Sequence, residues 1–93
     1  MKSIQTERKT VMKMIDYREY LGNAHIVFTF DKCLYFKGIH YNIIDHTILE
    51  DGTLWYCGTA LRHTGGHNII FSIIATISPN GTQSATIGKH IDD

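Results

Sequence analysis

The sequence predicts an α+β protein, an N-terminal helix packed on an antiparallel meander of five or six strands, with a small β-barrel as the alternative. Three observations carry this reading. Apolar residues near the N-terminus recur at helical spacing, residues beyond Ala24 alternate with period two, and two Gly-terminated turns bound hairpins of defined register. The 93 residues make one small domain over 1–93, read as a helical segment 1–22 and a sheet 24–91.

The helix is read over residues 4–21. Ile4, Val11, Met14, Ile15 and Leu21 fall within an arc of roughly 120° when each residue advances 100°. Glu7 and Arg18 also fall in that arc, so they either rim the contact or shorten the helix. Gly22–Asn23 suits a helix stop, because Gly accepts the left-handed conformation.

Strands follow. Ile26, Phe28 and Phe30 alternate with His25, Val27 and Thr29. Leu34–Tyr35–Phe36 comes next, then Ile39–His40–Tyr41, with further strands at 43–49, 53–61, 68–78 and 82–90. β-Branched and aromatic residues dominate these stretches, as a half-buried pleated surface favours.

Turn chemistry sets the register. Leu49–Glu50–Asp51–Gly52 and Ser78–Pro79–Asn80–Gly81 each fit a type I turn followed by a left-handed Gly, which closes a three-residue hairpin loop. Gly65–Gly66 fits a two-residue turn that needs positive φ at both positions. With these lengths His46 opposes Tyr56, Thr47 opposes Trp55, Ala75 opposes Ala85, and Ile73 opposes Ile87. Leu54, Tyr56, Phe71, Ile73, Ala75, Ile77, Ala85 and Ile87 then share one face, the predicted core.

The opposite face carries Asp45, Thr47, Trp55, Cys57, Thr59, Ser72, Ile74, Thr76, Ser78, Thr82, Ser84 and Thr86. No Asp, Glu, Lys or Arg occurs between His63 and Gly88. Solvated sheet faces usually carry charges, which oppose unwanted pairing. A hydroxyl-rich, uncharged face with one Trp therefore reads as a contact surface, unless a closed barrel or the helix covers it. The interface residues expected are Thr47, Trp55, Thr59, Ser72, Ile74, Thr76, Thr82, Ser84 and Thr86.

Composition narrows the partners. Lys+Arg and Asp+Glu both number 9, so the net charge is zero and no strongly electrostatic partner is implied. Tyr35, Phe36, Tyr41, Trp55 and Tyr56 could stack bases, but Lys32, Lys37 and Arg62 are the only cations between Leu21 and Gly88. Single-stranded nucleic-acid binding by a small β-barrel is therefore an alternative, not the first reading. A barrel enclosing a small molecule is the third.

Catalytic and metal chemistry find little support at this level. None of the G-x-S-x-G, H-E-x-x-H, P-loop and G-x-G-x-x-G motifs occurs. Cys57, His63 and His67 suggest zinc, but no C-x-x-C pair accompanies them and the Gly65–Gly66 turn points His63 and His67 to opposite faces. No metal and no cofactor are expected. The chain reads as a small non-catalytic module that binds another protein or a second copy of itself through its sheet, in the manner of an inhibitor, adaptor or immunity factor.

The polar N-terminus lacks the apolar core of a signal peptide, and the run 69–77 is too short to span a bilayer as a helix. The expected location is the cytoplasm, away from membranes, with Cys33 and Cys57 reduced and the Asn80–Gly81–Thr82 sequon unused.

Overall fold

The computed structural model describes residues 16–29 and 31–92. Seven strands form one antiparallel sheet: β1 (Asp16–Gly22), β2 (Val27–Phe28), β3 (Cys33–Phe36), β4 (Ile39–Ile48), β5 (Leu54–Thr64), β6 (His67–Ile77) and β7 (Gln83–Asp92). Their order across the sheet is β1-β7-β6-β5-β4-β3-β2. Strands β2 to β7 thus form a meander, and β1 returns to pair with β7 along its whole length, from Asp16↔His90 to Gly22↔Ser84.

The connectivity forces the sheet to curl. β1 and β2 lie at opposite edges, yet only residues 23–26 join them. The step from Gly22 to Val27 reaches at most about 18 Å. Six interstrand spacings in a flat sheet would separate the edges by about 29 Å. The sheet bends into a half-barrel, and the short connector crosses its open side. Two bonds fix that crossing: Ala24 N–H donates to Gln83 O (2.8 Å), and Ile26 N–H donates to Gln83 Oε1 (2.6 Å).

The core lies inside the curl. Leu34, Phe36, Tyr41, Ile73, Ala75 and Ala85 are buried there with Ala24 and Ile26 of the connector, and Leu21, Phe28, Tyr56, Phe71 and Ile87 pack around them. Gly58 lies on this side, opposite Ile43, where a bulge between Ile43 and Asp45 bends β4. A Cβ at Gly58 would stand 3.0 Å from Asn42 O and 3.2 Å from Tyr41 Cβ, so β4 and β5 can approach this closely only over a glycine.

The α+β expectation is corrected. Residues 16–22 of the expected helix are strand β1, and among the described residues there is no helix. The remainder of that expectation, residues 4–15, lies outside the described residues. Tertiary pairing overrides the helical spacing: Leu21 opposes Ala85 and packs on the core while Arg18 and Tyr20 point the other way, a period-two pattern. The strand number is also corrected, from five or six to seven; residues 39–48 run as one strand, and the barrel alternative is the one the curl fits.

The three turns and the register they imply are as expected. Leu49 N–H donates to Thr53 O and Gly52 N–H to Leu49 O; Ser78 and Thr82, and Gly81 and Ser78, repeat the same bonds. Gly52 and Gly81 have φ of 91° and 92°. Gly65 and Gly66 also have positive φ, and Thr64 pairs with His67 across them. Among the described residues no helix is long and apolar enough to cross a membrane.

Candidate functional site

The outward face of β5, β6, β7 and β1 is built from cross-strand rows. Thr47, Trp55, Thr76 and Ser84 form one row, and Asp45, Cys57, Ile74, Thr86 and Tyr20 the next. Asn42, Thr59, Ser72, Gly88 and Arg18 form a third, followed by Leu61, Ile70 and His90. Every expected interface residue within a strand falls on this face, and Thr82 flanks it at the Asn80–Gly81 turn. Trp55 is half-buried between Thr47 and Thr76, and the Thr76 and Ser84 hydroxyls hydrogen-bond to each other. Around them stand apolar side chains open to solvent: Leu61 (69% exposed), Tyr20 (68%), Ile70 (38%) and Ile74 (37%). From the Trp55 row to the Leu61 row, the face across β5, β6 and β7 has no acid and no lysine or arginine; Asp92, opposite Asn68, lies at its far end.

The inward side holds a cleft of ≈ 390 Å³ near the C-terminal end of β7, lined by Ile39, Tyr41, Phe71, Ile87, Gly88, Lys89 and Ile91. Its walls are apolar apart from the exposed Lys89. Tyr41 is 2% exposed, and burial pushes its phenol above the usual range, so it stays protonated. The Arg62 guanidinium stacks over the Phe71 ring at 5.7 Å.

The aromatic residues considered for base stacking are dispersed. Tyr35 and Trp55 face outward on different strands, Phe36 and Tyr41 are buried, and Tyr56 packs inward on Phe28 at 4.8 Å between centroids. They form no common platform.

The residues considered for zinc are separated as the turn implies. His63 Nδ1 donates to Asn68 Oδ1 (2.7 Å) on the outward face, while His67 opposes Thr64 on the inward one. A different cluster does form. The ligand atoms of Asp31, Cys33 and His40 all lie within 4.8 Å of one another. The Cys33 Sγ donates to Asn42 Oδ1 (3.3 Å) and to Asp31 O (3.6 Å). The Thr29 hydroxyl donates to Asp31 Oδ1 (2.7 Å), which holds the Asp31 carboxyl below its usual range, and the neighbouring His40 adds to this. Burial pushes the Cys33 thiol up, and the Asp31 charge pushes the same way.

This cluster had a signal in the sequence. Lys37–Gly38 is a two-residue turn with φ of 49° and 81°, which pairs Phe36 with Ile39 and so Cys33 with Asn42 and Tyr35 with His40. Reading that turn would have put Asp31-x-Cys33 diagonally across from His40.

No protein-family model, no curated protein and no solved structure matches the chain.

Proposed function

We propose that the protein is a binding module without catalytic activity, and that it recognises a second copy of itself through the outward face of β5, β6 and β7. The carrying observation is the part of this face between the Trp55 and Leu61 rows, which has no acid, lysine or arginine and on which Trp55, Ile74, Ile70 and Leu61 are at least partly exposed among Ser and Thr hydroxyls. A hydroxyl is both donor and acceptor, so this face is complementary to itself about a two-fold axis. Burying it strands no charge. Three strands of ten or eleven residues offer about 500 Å² on each copy, near the lower limit for a specific complex.

Sedimentation measures this directly. The wild type should sediment as a dimer at micromolar concentration, and Ile74→Lys should be monomeric with an unchanged far-ultraviolet spectrum. Trp55→Ala should weaken association by about 2 kcal/mol or more, roughly thirtyfold in Kd. A monomeric wild type at the highest soluble concentration would defeat the reading.

The cleft favours a second reading, the capture of a small apolar ligand. Its ≈ 390 Å³ falls within the size range of small-molecule sites. An environment-sensitive apolar dye should bind the wild type and be excluded by Ile87→Trp, which fills the cleft; dye binding equal in both would remove this reading.

A further inference from the structure

The geometry of the β3–β4 hairpin points to a transition-metal site, in which Asp31, Cys33 and His40 hold one zinc ion. It goes beyond the association proposed above and stands independently of it.

The ligand set decides the class of metal. Imidazole, thiolate and carboxylate together suit a borderline cation such as Zn²⁺, whereas a thiolate disfavours Mg²⁺ and Ca²⁺. The spacing is close to what such an ion needs. Tetrahedral coordination at 2.0–2.3 Å places ligand atoms about 3.3–3.8 Å apart. The three atoms here already lie within 4.8 Å, and Asp31 and His40 are exposed, so small rotations about their side-chain bonds close the remaining gap. Cys33 Sγ and Asn42 Oδ1 are 3.3 Å apart, which puts an amide oxygen beside the thiol, within reach of a fourth coordination position. A water molecule bridging from Asn42 would serve the same position.

The backbone preorganises the cluster. Lys32 has a φ of 61°, a left-handed turn that folds Asp31 back beside Cys33. Thr29 N–H donates to Cys33 O (2.9 Å) and Ile43 N–H to Lys32 O (3.0 Å), so the turn is tied to both of its neighbours. The Thr29 hydroxyl orients the Asp31 carboxylate, and the Tyr35 ring meets His40 edge-on at 6.1 Å. These are the supporting contacts that a metal site takes from its surroundings. Cys33 is 7% exposed while both partners face solvent, so the ion has an entry path and the thiolate is shielded. On binding, the thiol loses its proton to solvent as the sulfur–metal bond forms.

Cobalt(II) titration of the metal-free protein reads out the site. One equivalent should produce a thiolate-to-cobalt charge-transfer band with intense visible bands of four-coordinate cobalt, and Zn²⁺ should bleach both. Cys57→Ser should leave these signals unchanged. His40→Ala, at an exposed position, should weaken binding more than about tenfold, since even an outer partner is worth that much. Cys33→Ser should abolish the charge-transfer band. If Cys33→Ser fails to fold, the His40→Ala affinity and the zinc-induced shift of the His40 ring resonances decide. No charge-transfer band in the wild type, or a band that follows Cys57 or survives His40→Ala at full affinity, overturns the site.

Discussion

Lys37 holds a φ of 49° at the first position of the β3–β4 turn, a conformation that costs an L-residue with a long side chain roughly 1–2 kcal/mol. Asn tolerates it far better, and Asn-Gly is the favoured pair for such a turn. Lys37→Asn should therefore stabilise the protein by about 1 kcal/mol, a rise of several degrees in Tm by calorimetry. An unchanged or lower Tm would mean that the turn does not hold this conformation. Asp51 and Asp31 act through their charge. Asp51 accepts from the Thr53 hydroxyl and from Thr53 N–H (2.9 Å), and Asp31 from the Thr29 hydroxyl, so both carboxyls titrate below their usual range in the folded protein. A lowered folded-state pKa contributes stability above the unfolded value, near pH 4, and loses it as pH falls through the folded value. Urea midpoints should fall as the pH drops below about 4. The fall should be shallower in Asp51→Ala, which also starts lower at pH 7.

At the scale of elements, strength follows pairing. β5 and β6 pair over eleven residues each, β6 and β7 over ten, whereas β2 contributes two and β1 is an edge. Native-state hydrogen exchange should find the slowest amides in β5 and β6, with β2 and β1 opening well below the global unfolding free energy. Equal protection across all seven strands would contradict this. The same hierarchy governs what could be read in advance. Register from β4 to β7 was legible because Asp51–Gly52, Gly65–Gly66 and Asn80–Gly81 are local signals, and turn length fixes side-chain parity. The outward face with Trp55 followed from that parity. β1 was not legible: Leu21 fits a helical arc and a strand alternation equally, and the deciding partner, β7, lies more than sixty residues away. The Asp31–Cys33–His40 cluster was missed because its turn carries Lys37 where Asn or Gly usually marks a left-handed residue.

At the scale of the molecule, the half-barrel depends on its seam. β1 and β2 are not bonded to each other, so the curl is held across the open side by the connector and by Gln83. Ile26 is 6% exposed, and its N–H donates to the Gln83 side chain. Gln83→Ala keeps the bond from Ala24 N–H to the backbone carbonyl but takes the acceptor from the partly buried Ile26 amide. A buried unpaired donor costs about 1–3 kcal/mol. Denaturant unfolding of Gln83→Ala should show that loss. Hydrogen exchange should quicken in residues 24–28 and along β1, while β5 and β6 change only with the global stability. Gln83→Glu retains an acceptor oxygen at the same reach and should recover most of the loss above the carboxyl pKa. The two variants separate the hydrogen bond from simple packing: if both lose equally, Gln83 acts by filling space. A Gln83→Ala protein as stable as the wild type would place the closure of the half-barrel elsewhere, on the burial of Ile26, Leu34 and Phe36 alone.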